Sequence, residues 1–309
     1  MKVFAIPKLT IVLAIAITSL LLLCVNTFAM PPEIVEQKEF AVHSFYERKI
    51  VGPFDFDFTL IGKQILDKHA GLGIMRYGDG ELAVIQKQPL VAEQDNWKYN
   101  GGDDSVLAKD LSRTLSGHYG EPLYYGFPAN ENVESLNTYL NLTQQSLNYV
   151  TYANLFVNSN YKRTRKLLEM IQNGDAGDVV LFASKESRLH ASTFTTMKEY
   201  VECPDEGLQW YETNHKSIKK TWDHLAAKYT NTLFVLSCGP LSNIAVHRMW
   251  GLNKFNRYID FGSSVDEILK GRRTRPYMDD SSEYAGFFDP AFKVVDGSAI
   301  LLPNLFTKD

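Results

Sequence analysis

The sequence predicts an α/β fold: a largely parallel sheet with helices on both faces, preceded by an N-terminal hydrophobic helix. Three observations predict it. Short apolar runs alternate with stretches of helical spacing, several runs are apolar on both faces, and no Pro/Gly/Ser-rich linker divides the body of the chain. The 309 residues are 45% hydrophobic, enough for one large α/β domain or two small ones. A net charge of −4, with both signs mixed along the chain, offers no basic field and excludes nucleic acid as the expected partner. There is no low-complexity tract and no internal repeat.

The first element is the hydrophobic segment. Lys2 and Lys8 precede an uncharged run from Leu9 to Pro32 whose core is "LTIVLAIAITSLLLLCV". With Lys8 before it and Glu33 after it, the N-terminus is expected to stay in the cytoplasm. Residues 1–29 read either as a signal peptide cleaved after "NTFA" at Ala29, or as an uncleaved type II signal anchor. Both send the rest across a membrane, to a secretory lumen, a periplasm or a cell surface. Residues 30–53 follow as a stalk, and 54–309 as the folded domain.

Within that domain "GLGIMRYG", "PLYYGFP", "YVTYANLFV", "DVVLFAS", "TLFVLSCG" and "NRYIDFG" read as strands. Between them, Leu107, Leu111 and Leu115 share a helical face, and the stretch from Asn214 to Tyr229 has the same period. Cys24 lies in the apolar run. Cys203 and Cys238 are able to pair in an oxidising lumen, but Cys238 ends an apolar strand and reads more readily as a buried thiol. Asn141-Leu142-Thr143 is a glycosylation sequon.

In parallel sheets, ligands bind beyond the carboxyl ends of the strands. Two strand ends carry chemistry. The first is "RYGDGEL", where Arg76 and the carboxylates of Asp79 and Glu81 are spaced by Gly78 and Gly80. Two carboxylates so close repel unless a cation lies between them. Oxygen donors with no Cys or His nearby suit Mg²⁺ or Mn²⁺, and a guanidinium clamps carboxylate or phosphate oxygens. The competing reading is a solvated turn with Asp79 capping a helix that starts at Glu81. The second is Ser237-Cys238-Gly239-Pro240, where a strand passes into a helix. Gly239 permits close approach of a ligand, Pro240 suits a first helical turn, and free amides there attract phosphate. An ordinary strand-to-helix turn is the alternative.

Together, "RYGDGEL" and "LFVLSCGPLSNIAVHRM…YIDFG" resemble the glycosyltransferases of the GT-D fold, over roughly residues 70 to 270. The resemblance implies a Rossmann-like core and transfer of a hexose from a nucleotide-diphosphate sugar, UDP-hexose favoured, to a glycan or glycoconjugate acceptor. It implies Mn²⁺ or Mg²⁺ at Asp79 and Glu81, with Arg76 in support. Ser237, Cys238, Gly239 and Pro240 would line the nucleotide pocket, with Asp260 at the neighbouring strand end. One departure is plain: the family follows Asp-x-Gly with His, whereas Asp260-Phe261-Gly262 is followed by Ser263. His247 does not match that position and reads as packed or surface-facing.

For the chemistry, Arg272, Arg273 and Arg275 are candidates for a lid over the diphosphate, or form a solvated basic loop. Asp260, Asp266 and Glu186 are candidates by type for a base on the acceptor hydroxyl. Lys185, Glu186, Arg188 and His190 follow a strand and are expected near the same crevice. Trp210 and Tyr211 suit stacking on a base or sugar, with plain packing the competing reading. Two rivals to transfer stand beside it: a metal-dependent hydrolase of a phosphate or sugar nucleotide, and a catalytically inactive sugar-nucleotide-binding module. The transferase reading needs Asp79, Glu81 and Gly239 around one cleft.

Overall fold

The computed structural model describes residues 53–92, 97–116, 122–128, 133–143, 149–282, 294–295 and 298–299. The predicted signal segment 1–29, Cys24 within it, and the stalk up to residue 52 lie outside the described residues. Among the described residues no helix is long and apolar enough to cross a membrane.

Seven strands form one parallel sheet in the order β5-β4-β1-β9-β8-β6-β7. They are β1 (Leu72–Arg76), β4 (Leu123–Phe127), β5 (Val150–Tyr152), β6 (Val179–Ser184), β7 (Met197–Cys203), β8 (Leu233–Leu236) and β9 (Arg257–Asp260). A separate antiparallel hairpin pairs β2 (Leu90–Ala92) with β3 (Trp97–Tyr99). The helices that matter for the cleft are α1 (Pro53–Leu66), α2 (Asp79–Ile85), α3 (Val106–Ser116), α4 (Val133–Leu142), α5 (Tyr161–Gln172), α6 (Arg188–Ala191), α7 (Gly207–Lys228), α8 (Pro240–Leu252) and α9 (Asp266–Lys270).

Alternation along each strand sends neighbouring side chains to opposite faces. On one face Ile74, Leu181, Val235 and Ile259 pack with Ile61 and Ile65 of α1 and Leu168 and Ile171 of α5. On the other, Phe182 and Leu236 meet Trp222 of α7 and Leu241 and Ala245 of α8. The sheet is thus covered on both sides, which is why the strands read as continuous apolar runs. All six predicted strands are present, although the fifth-strand run "YVTYANLFV" spends only Val150–Tyr152 in the sheet and then turns.

The sheet has a change of sense at its middle. The chain leaves β1 toward β4 on one side, while β9 arrives beside β1 from β8 on the other. Such a junction opens a crevice at the carboxyl ends. At the opposite end, Arg257 is wholly buried and donates to the carbonyls of Ile65 (2.7 Å) and Asn231 (2.8 Å). It ties the start of β9 to α1.

Two features depart from the sequence reading. The edge strand β7 was not expected, because "MKEYVEC" alternates charged and apolar residues and stays half exposed. Its charges are paired: Lys198 with Asp178, Glu199 with Lys228, Glu202 with Arg188. The buried-thiol reading of Cys238 is overturned: Cys238 forms a disulfide with Cys203, at a Cα–Cα distance of 6.0 Å. The end of the unexpected edge strand brings Cys203 beside the turn after β8. Replacing both cysteines with Ser is expected to lower the unfolding free energy by about 2–4 kcal/mol. Urea unfolding with and without dithiothreitol checks this, since reductant should weaken the natural chain and leave the variant unchanged.

Candidate functional site

Strand β1 delivers the first motif. Its exit is fixed by Tyr77, which is buried against Tyr125, Phe127 and Tyr139 and shares a hydrogen bond with Thr114 (2.6 Å). Tyr139 donates to the Gly78 carbonyl at 2.5 Å. Helix α2 then begins at Asp79, two residues earlier than the capping reading placed it. Its cap comes from Glu81, whose Oε2 accepts the Gly78 N–H at 2.8 Å, so one carboxylate oxygen satisfies an orphan amide of the helix start. Asp79 does not cap the helix; it is exposed, with Oδ1 accepting the N–H of Gly80 at 2.9 Å.

Arg76 is held from four sides. Asn243 of α8 brackets its backbone, accepting the Arg76 N–H (3.0 Å) and donating to the Arg76 carbonyl (2.7 Å). The guanidinium donates to the Ala153 carbonyl at 3.0 Å and lies 3.6 Å from Oδ2 of Asp260. It also covers Gly262, where a Cβ would collide with it and where φ is +53°. Asp260 in turn accepts the Gly262 N–H at 3.0 Å. A glycine is needed at 262 on both counts.

The second motif delivers a helix start. Gly239 has φ +54°, Pro240 occupies the first turn of α8, and Ser242 Oγ accepts the Cys238 N–H at 3.0 Å. Arg76, Gly78, Asp79, Gly80, Glu81, Ser237, Cys238, Gly239 and Asp260 all line one cleft of about 480 Å³. Pro240 is buried behind Gly239 and outside the wall. The cleft sits at the carboxyl ends of β1, β5, β6, β7, β8 and β9, where the fold class placed it.

Its electrostatics are acidic, with more carboxylates than cations at the lining. Burial pushes Glu81 up to about 7, against the hydrogen bond from Gly78 and with the Asp260 charge adding to the rise. Burial also raises Asp260, although Arg76 pulls the other way. Asp205 and Asp266 add further carboxylates to the wall, and Lys270 and Arg275 add cations. Asp266 is held by Thr274 (2.6 Å) and Lys270 (3.1 Å).

The donor set bears on a metal. Among the described residues no group of three or more His, Cys, Asp or Glu side chains is arranged to hold one. A hard cation that draws its remaining ligands from phosphates and water needs only one or two carboxylates. Asp79 and Glu81 both line the cleft and are the carboxylates of this motif available to such an ion, each with one oxygen already accepting a backbone N–H.

Other expectations fail at this cleft. Lys185, Glu186, Arg188 and His190 do not reach the wall; of that segment only Ser184 does. After β6 the chain turns at once through Lys185–Ser187 into α6, carrying these side chains away. Glu186 pairs instead with Arg272 (2.8 Å), and Arg273 with Glu267 (3.1 Å), so only Arg275 of the proposed lid faces the cleft. Tyr211 is a packing residue, buried against Trp222 and donating to Asp110 at 2.9 Å. Trp210 borders a separate small apolar pocket, and His247 is buried in α8. Asn243, Tyr139 and Trp97 were missed; an asparagine inside the apolar "PLSNIAV" helix start was the one legible signal.

No family model matches the chain, and no curated protein matches it. Two solved structures are similar in fold. One, a highly conserved domain of unknown function 1792 described as having a distinct glycosyltransferase fold, is 19% identical, with a TM-score of 0.48 over 76% of this chain and 86% of that one. The other, a selenomethionine-substituted structure of domain of unknown function 1792, is 18% identical, with a TM-score of 0.46 over 87% and 92%. Likeness this distant carries no argument about chemistry, which rests on the residues of the cleft.

Two outcomes follow from this geometry. Gly262→Ala should cost about 1–3 kcal/mol, since the new methyl meets the Arg76 guanidinium in a backbone region that favours glycine; thermal unfolding reads it. For Glu81, the folded form holds its proton up to about pH 7 against an ordinary value of 4.5, so its ionisation removes stability as pH rises through that window. Glu81→Gln is therefore expected to gain in melting temperature over the natural chain between pH 5 and pH 8, and a constant difference would contradict the burial.

Proposed function

We propose that this chain is a metal-dependent glycosyltransferase that moves a hexose from a nucleotide-diphosphate sugar, a UDP-hexose by preference, to a glycan or glycoconjugate acceptor. One observation carries the reading. Two segments far apart in the chain, one bearing paired carboxylates and an arginine and the other a helix start, line the same cleft. Breaking the bond from an anomeric carbon to a diphosphate is slow unless the charge growing on the leaving group is met by fixed positive groups.

The chain supplies such groups itself. The start of α8 presents its positive dipole end to the cleft behind Gly239, a natural seat for phosphate. Arg76, its backbone bracketed by Asn243 and its side chain held by Ala153 and Asp260, contributes a guanidinium that does not have to reorganise during reaction. Arg275 lines the cleft as a second guanidinium, while Lys270, also at the lining, is paired with Asp266. A divalent ion, Mn²⁺ or Mg²⁺, held by Asp79 and Glu81, would neutralise the leaving diphosphate as a Lewis acid. Deprotonation of the acceptor falls to Asp260 or Asp266, the two candidate bases that line the cleft.

The compartment is proposed on the same footing. An N-terminal apolar run that is cleaved or kept as an anchor would deliver the folded part to a lumen, a periplasm or a cell surface, as a secreted or type II membrane protein. The Cys203–Cys238 disulfide supports an oxidising environment.

Incubating the chain with a panel of nucleotide sugars, Mn²⁺ and glycan acceptors tests the reading. Acceptor-dependent release of nucleoside diphosphate is expected. Turnover that ignores the acceptor would instead identify a hydrolase, and donor binding without turnover an inactive binding module, a result the Ser263 substitution for histidine would explain. Asp79→Asn and Glu81→Gln should each lower transfer by at least about 100-fold, with the fold intact by circular dichroism. Full activity in both would leave the motif no role beyond starting helix α2.

A further inference from the structure

One indole touches both halves of the cleft. Trp97 opens β3, opposite Ala92 in the hairpin that leaves the sheet between α2 and α3. A Cβ at Gly80 would lie 3.3 Å from one carbon of its six-membered ring, and a Cβ at Gly239 would lie 3.4 Å from its Nε1. The ring thus fills the space that two side chains would otherwise take, one in each motif. Trp97 is half-buried and forms part of the cleft wall. The hairpin is itself moored: Tyr99 is buried, β3 packs on α7, and Asn100 donates to Gln209 at 3.3 Å.

A diphosphate held at once by the 79–81 carboxylates and by the start of α8 fixes the distance between those two turns. A stiff aromatic ring standing next to the Cβ positions of both glycines is a spacer of set width, and small misplacements of such groups are costly to binding and rate. We infer that Trp97 is the positioning residue that sets the separation of the Asp79–Gly80–Glu81 and Ser237–Cys238–Gly239 turns, and so the span that a nucleoside diphosphate bridges. The inference rests on the donor reading of the cleft and adds to it a residue outside either motif.

Calorimetric titration of the full chain with uridine diphosphate and Mn²⁺ tests it. Trp97→Ala should weaken binding by about tenfold or more, while Trp97→Phe, which keeps a flat ring in the socket, should stay within about threefold of the natural chain. Gly80→Ala pushes the ring from the other side and should also weaken binding, but add little in the Trp97→Ala background, because the ring it displaces is gone. Equal affinity in Trp97→Ala and the natural chain, or a Gly80→Ala loss that is the same in both backgrounds, overturns the inference. Failure of the natural chain to bind uridine diphosphate at all would sink the donor reading instead. In that event, the same cycle read by thermal unfolding decides the spacer role, which additive losses would overturn.

Discussion

The cleft depends on the double hydrogen bond between Asn243 and the backbone of Arg76. A strand normally ends with its last amide and carbonyl turned to water or to a neighbouring strand. Here a side chain from α8, 167 positions away, takes both. That bracket joins the end of β1 to the start of the helix that carries Gly239 and Pro240. It explains how two motifs distant in sequence come to face one volume. It also leaves the Arg76 side chain free to cross toward Asp260 and Ala153, linking β1 with β9 and with the turn after β5. A buried asparagine with both ends satisfied is a low-cost joint, whereas one left unsatisfied would be expensive.

Around this joint the fold accepts an electrostatic cost. Glu81 and Asp260 are both desolvated, and Arg76 alone does not offset them. Structural acids elsewhere in the chain are treated differently. Asp110 is as buried as Asp260, yet receives Tyr211 and Lys219 on one oxygen and Arg113 on the other. Glu212 caps the start of α3 through Val106 and Ser105. The contrast separates acids that hold the fold together from acids kept under-compensated in a cleft, the pattern expected where a charged ligand completes the balance.

Much of the architecture was legible because burial on both faces of a parallel sheet leaves apolar runs that punctuate the chain. The edge strand β7 escaped, since one half-solvated side permits Lys198, Glu199 and Glu202 where a central strand would carry aliphatics. At the cleft, Asp79, Glu81 and Gly239 were visible as unusual residue types at strand ends, but their partners were not. Asn243, Tyr139 and Trp97 act through contacts made only after folding, and no spacing in the sequence encodes a hydrogen bond across 167 positions or an indole resting on two glycines. The segment after β6 misled for a related reason. Charged residues just past a strand read as crevice-facing, yet a single tight turn at Lys185–Ser187 swings them outward. The pairing of Cys203 with Cys238 was missed in favour of a buried thiol while β7 was unseen, because that strand brings Cys203 to the turn.

The charge pattern of β7 has a consequence beyond the cleft. A parallel sheet exposes hydrogen-bonding groups along its outermost strand, an open invitation to any extended peptide. Here that rim carries Lys198 and Glu202 pointing to solvent, with Lys228 and Arg188 drawn alongside. An incoming strand would have to strip water from these ions before gaining a single ladder bond. The β7 border of the sheet is therefore blunted against pairing with an extended chain.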